Sequence, residues 1–79
     1  MTSTKFDRIT VESGKMGGKP CIRGMRLTVR RVVEIAATYD DRDELHREYP
    51  DLEDEDIRQA LLFAAASMDE QVDAYEAVR

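Results

Sequence analysis

Tryptophan is absent from this 79-residue chain, cysteine and histidine occur once each, and proline twice. Each scarcity excludes something. A lone Cys21 forms no intrachain disulfide, which points away from a disulfide-stapled secreted scaffold and toward a cytosolic, cytoplasmic protein. With Cys21 and His46 far apart and no others, a Cys/His zinc site cannot be assembled within one chain. His46 stands between Leu45 and Arg47 in a strongly charged stretch, where it reads as a helix-surface residue and not as the base of a triad. Long apolar runs are missing too. The longest, residues 60–66, falls far short of the roughly 18 residues that span a bilayer, so no membrane segment is expected. No apolar stretch follows the basic start, and no secretory signal is expected.

Two motifs invite chemistry and fail on spacing. A phosphate-binding loop needs four residues between its glycines and then Gly-Lys-Ser/Thr. Here Gly14 and Gly18 enclose three, and Pro20 follows Lys19 where the hydroxyl belongs. The acidic run at 51–56 has no glycine at the sixth position of a calcium loop and no spaced bidentate Glu. Carboxylates at a helix start complement the positive end of the helix dipole, which accounts for the run without a metal. No enzyme, metal site or cofactor is expected.

What the chain does have is charge, unevenly placed. Twelve basic and 17 acidic residues leave −5 overall, with 37% charged and 42% hydrophobic residues, the balance of a folded domain. Up to Val33 there are eight basic side chains against two acidic ones, +6; from Glu34 onward there are four against fifteen, −11. Such a reversal predicts two kinds of contact, a polyanion at the front and a protein at the rear. The bland reading, a solvated surface that keeps a small domain soluble, accounts for the charge equally well. A single domain over 1–79 also has a thin core, about 3–5 kcal/mol at this size, so a partner or second copy is expected to support it.

Residues 9–11 and Cys21-Ile22 are short β-type runs separated by a turn-rich stretch, with Leu27 a candidate third piece. Thr28 is a candidate N-cap for a first helix with Val29, Val32, Val33 and Ala36 on its inner stripe. Asp40 or Asp41 starts a second helix to Tyr49, which carries Leu45 and Tyr49 inward, and Pro50 ends it. A third runs from Glu53-Asp54 to Ala66, with Ile57, Leu61, Ala64 and Met68 as its main stripe and Leu62, Phe63 and Ala66 on other faces. That helix is apolar over more of its circumference than a surface helix should be, which predicts a central position or a covering partner. Ser67-Met68-Asp69-Glu70 has the form of a capping box, which either starts a separate amphipathic tail helix or is accidental in a continuous one; Val72, Tyr75 and Val78 line one side of that tail. The expected fold is a mainly α, helix-turn-helix-like (homeodomain-like) domain of three to four helices: a basic β-ribbon arm over 1–27, a three-helix core over 28–66 and a tail over 67–79.

A helix-turn-helix reader places the start of its second helix in the major groove. Here that start is Glu53-Asp54-Glu55-Asp56, which repels phosphate, with only Arg58 and Gln59 nearby to favour DNA. The expected phosphate contacts are therefore Lys15, Lys19, Arg23, Arg26, Arg30 and Arg31. Leu62, Phe63, Met68, Val72 and Tyr75 are anchors of the type enriched at protein interfaces, although for Leu62 and Phe63 ordinary core packing is an equal reading.

Gly17-Gly18-Lys19-Pro20-Cys21-Ile22-Arg23-Gly24-Met25-Arg26, with Arg8-Ile9-Thr10-Val11 before it and Glu48-Tyr49-Pro50-Asp51-Leu52 and Asp56-Ile57-Arg58-Gln59-Ala60-Leu61 after it, resembles the "domain of unknown function 433" family. The likeness runs from about Arg8 to Ala66. It departs at Met25, where Thr is usual, at Glu53, where a hydroxyl N-cap is common, and at Tyr39-Asp40-Asp41, where glycine is frequent. The resemblance implies a small helix-turn-helix-related protein, an antitoxin whose gene neighbours that of a PIN-like toxin, a ribonuclease. On that expectation Leu62, Phe63, Met68, Val72, Tyr75 and Arg79 hold the toxin, and the basic arm holds operator DNA, as a homodimer or a larger hetero-oligomer with the toxin. A stand-alone DNA-binding regulator, or an interaction module that binds no nucleic acid, are the alternatives.

Overall fold

The computed structural model describes residues 6–68. A two-residue antiparallel ribbon, β1 (Ile9–Thr10) and β2 (Cys21–Ile22), precedes three helices: α1 (Val29–Thr38), α2 (Arg42–Glu48) and α3 (Asp54–Ser67). The domain is mainly helical with a short β arm, as the pattern predicts. In the ribbon Ile9 faces Ile22 and Thr10 faces Cys21. The chain then turns through Arg23 and Gly24, both at positive φ (47° and 72°), the sign combination of a primed hairpin turn. The Met25 amide donates to the Ile22 carbonyl at 2.8 Å to close the turn. The third extended piece expected at Leu27 is a single bridge, Cys21 to Thr28, because helix begins at once.

Each helix start carries an acceptor of suitable geometry. The Thr28 hydroxyl accepts from the Arg31 amide at 3.1 Å, and the Asp41 carboxylate from the Asp43 amide at 3.0 Å. At α3, Asp56 reaches back to accept from the Glu53 amide at 2.9 Å. These satisfy amides that lack intrahelical partners.

The core is Ile9, Ile22, Val29, Val32, Ile35, Leu45, Leu52, Ile57 and Ala60, with α1 packed along α3. Two helix stripes differ from expectation. On α1 the buried row is Val29, Val32 and Ile35, with Val33 and Ala36 half-buried. On α3 the buried row begins Asp56, Ile57, Gln59, Ala60, while Leu61, Leu62 and Met68 are 41%, 47% and 70% exposed. The hydrophobic pattern placed Leu61 and Met68 inside because it treated Asp56 and Gln59 as surface residues. Both are buried, and their burial turns the inner face by about one position. Phe63 is half-buried against the core and meets the Phe6 ring edge-to-face at 5.3 Å, so it is a packing residue more than a free anchor.

Ser67 is the last residue of α3, and its hydroxyl donates to the Phe63 carbonyl at 2.8 Å. The rest of the expected tail, with Val72, Tyr75 and Arg79, lies outside the described residues. Among the described residues no helix is long and apolar enough to cross a membrane.

Candidate functional site

The six basic residues expected to meet phosphate do not form one surface. Arg23 turns inward from the hairpin turn. Its Nε and Nη2 donate to the two carboxylate oxygens of Asp56 at 3.1 and 2.8 Å, and Nη2 also reaches the Asp51 carbonyl at 2.6 Å. Arg8 joins from β1's edge, with Nη1 2.9 Å from Asp56 and 2.7 Å from Glu53. Asp56 is fully buried, whereas the Arg8 and Arg23 side chains keep 28% and 35% of their surface exposed. Burial alone would push the Asp56 carboxyl up. The hydrogen bonds from Arg23, the Glu53 amide and Arg8 outweigh it, and its pKa falls below the ordinary carboxylate value. Two front cations are thus neutralised by rear carboxylates within one subunit, which reduces the front-to-rear polarity expected from the sequence. Arg23 in particular leaves the outward-facing set.

Gln59 is occupied as well. Buried on α3, it accepts the Arg8 amide at 2.9 Å and donates to Asp7 and Glu55, each at 2.8 Å. It clamps the start of the ribbon to α3, so its side chain cannot read a base edge without releasing that clamp. The other acids of α3's first turn are paired too. Asp54 Oδ1 lies 2.7 Å from His46 Nε2 and 3.5 Å from Arg42, and the His46 hydrogen bond lowers the Asp54 pKa. Glu55 takes Arg58 at 2.9 Å. The acidic helix start is therefore paired within the chain and not a bare anionic patch, although Glu53 and Asp54 stay exposed.

The remaining cations divide between two sides of α1. Arg26 is exposed, with its Nη1 3.6 Å from the Met16 sulfur. It lines a shallow groove of about 300 Å3 with Met25, Leu27, Tyr49 and Pro50, where Glu48 and Asp51 also stand. Arg31 reaches the same neighbourhood, its Nη2 3.4 Å from the Tyr49 hydroxyl. Arg30 lies on the other side, beside Phe63 and Ala64. Both Arg30 and Arg31 contact Glu34, at 3.5 and 3.4 Å, in exposed pairs that hold a side chain weakly. Lys15 donates to the Gly24 carbonyl and stands 3.6 Å from Glu12, so it braces the hairpin turn; Lys19 is exposed. The geometry thus pairs Arg31 with the Tyr49 hydroxyl and sets Arg26 in a groove that Tyr49 also lines. The sequence expectation placed Tyr49 on the inner face of α2 and gave it no binding role. Its signal was the Tyr-Pro pair ending α2, which holds the ring beside Tyr39, 5.9 Å away edge-to-face.

Of the residues expected to grip a protein, Leu62 and Met68 are exposed and Leu61 joins them. Arg42, Ile57, Arg58, Leu61 and Leu62 line an open groove of about 440 Å3 between α2 and α3. Among the described residues no three His, Cys, Asp or Glu side chains are grouped as a metal site.

The family described as "Protein of unknown function (DUF433)" matches residues 9–64. No curated protein and no solved structure matches the chain significantly.

Proposed function

This chain belongs to the DUF433 family, and from that premise we propose that it is the antitoxin of a toxin–antitoxin pair, binding a PIN-like ribonuclease and contacting operator DNA. The observation that carries the protein-binding half is the bare second half of α3: Leu61, Leu62 and Met68 together present apolar side chains at 41%, 47% and 70% exposure. A soluble monomer rarely leaves a contiguous apolar face on a helix without a partner for it. Large apolar side chains beside the cations Arg42 and Arg58 suit a helix-in-groove contact.

The test is co-expression with any PIN-like ribonuclease found encoded beside it. A complex should co-purify with fixed stoichiometry and suppress RNA cleavage. Leu61→Asp combined with Leu62→Asp should weaken that binding about 30-fold or more, the ~2 kcal/mol of an interface hot spot, with the helical circular dichroism unchanged because both residues face solvent. A wild-type affinity in this variant, measured by calorimetry, would remove α3's outer face from the interface.

Nucleic-acid contact falls to Arg26, Arg31, Arg30 and Lys19, with Lys15 at the turn beside them. Each phosphate neutralised contributes about 0.9 to the slope of log affinity against log salt. Arg26→Ala with Arg31→Ala should therefore flatten the slope by about 1.8, measured by anisotropy on duplex DNA from upstream of the gene. An unchanged slope would mean that Arg26 and Arg31 touch no phosphate.

A further inference from the structure

An apolar groove of about 340 Å3 opens between α1 and the second half of α3, lined by Pro20, Val29, Val33, Phe63 and Ala64, with Arg30 its one charged residue. It shares no lining residue with the groove of Leu61 and Leu62 on the α2 side. Its rim on α1 carries a charge pattern. The Arg30 side chain is 89% exposed, that of Glu34 one turn further on is 48% exposed, and they stand 3.5 Å apart. Such a surface pair is readily exchanged for another. Helix geometry decides which partner suits the pattern. Two helices that meet across a perpendicular two-fold axis run antiparallel, so each position faces the one equally far beyond the axis. A two-fold level with residue 32 exchanges positions 30 and 34. Arg30 then meets Glu34 of the second copy, and Glu34 meets Arg30 of the second copy. A helical side chain covers the surface about one position before its own Cα, which sets the Val33 side chain at that same level. Val33 thus lies at the axis between two ion pairs, and Ala37, exposed on the same face, lets the backbones approach.

We propose that this groove and the outer face of α1 are the seam of a homodimer, an isologous contact between two copies of this chain. The rim is neutral and self-complementary. A uniformly acidic or uniformly basic partner would set a like charge against Glu34 or Arg30, whereas a second copy sets none. A core of about 3–5 kcal/mol, the usual limit at this size, gains from covering the half-buried Val33 and Phe63. In the dimer Arg30 is committed to the seam, so phosphate contact is left to Arg26, Arg31 and Lys19. The outer face of Leu61 and Leu62 stays open. The inference concerns the chain alone, and its failure leaves the proposed function standing.

The experiment is sedimentation equilibrium on the full chain over a range of concentrations, alone and in mixtures of charge-reversed variants. Wild type is expected to weigh two chains at high concentration and to dissociate on dilution. Arg30→Glu and Glu34→Arg should each weaken the dimer about 10-fold or more, because each sets like charges opposite one another twice. Both residues are exposed, so the helical circular dichroism should not change. An equimolar mixture of the two variants should regain the dimer. Every contact across the seam is then again between opposite charges, while the pairs inside each chain stay broken. A wild-type mass of one chain at every concentration, or one that grows past two, would overturn the proposal. So would a dimer indifferent to both reversals, which would place the seam on another face, or a mixture as weak as its components.

Discussion

Asp56→Ala is expected to lower unfolding free energy by about 3 kcal/mol, the low end of the cost of removing one partner from a buried ion pair. The low end applies because Arg8 and Arg23 keep about a third of their side-chain surface in water and can rehydrate when the carboxylate goes. Two losses coincide. The arginines are left facing each other without their shared counter-ion, and the Glu53 amide loses its acceptor at the start of α3, itself worth about 1 kcal/mol at a helix N-terminus. A 79-residue domain has only about 4–12 kcal/mol in total, so the urea midpoint should fall by more than about 1 M. Glu53→Ala is the control. Glu53 also pairs with Arg8, but its side chain is 61% exposed, and its removal should cost well under 1 kcal/mol. Equal midpoints for the two variants would show that Asp56 is no hub.

The same carboxylate sets an acid limit. Its folded pKa is depressed, so the stability it supplies is fully present above its unfolded value, near 4. That stability is lost as pH falls through the lower folded value. Wild type should lose stability below about pH 4, and Asp56→Asn should flatten that limb of the profile.

The second large effect is expected at Leu45→Ala, about 2–4 kcal/mol. Leu45 is the one buried residue of α2 and is fully inaccessible. A seven-residue helix has almost no stability of its own, since helices shorter than about 12 residues are marginal in water. Its place beside α3 therefore rests mainly on that one side chain, because the His46 and Arg42 contacts with Asp54 are exposed and the Asp41 cap and the Tyr49–Tyr39 contact do not reach α3. At about 4–8 °C per kcal/mol for a domain this small, thermal unfolding should shift down by 10 °C or more. Because Tyr49 ends α2, the Arg31 contact with its hydroxyl should loosen as well. A melting point within 3 °C of wild type would place α2's anchorage elsewhere.

Helix positions were legible in the sequence because their signals are local. Thr28, Asp41 and Pro50 mark boundaries through backbone geometry and short side-chain hydrogen bonds, and the helices begin and end within a residue or two of those marks. The two short strands of the ribbon were legible for the same reason. Faces were less so. Hydrophobic periodicity assumes that polar residues point outward, and α3 breaks the assumption at Asp56 and Gln59. The six-residue basic set was legible as composition only, because net charge says nothing about which cations have partners.

Sequence alone was enough to establish a mainly helical domain with a β arm, its family and its uneven charge, all properties of short-range pattern. Tertiary structure decided which charges remain available. Arg8 and Arg23 lie more than 30 positions from Asp56 and Gln59, and only folding brings them within hydrogen-bond distance. There desolvation favours strong pairing over exposure, so the same arginines that make the front of the chain basic on paper hold the fold together instead.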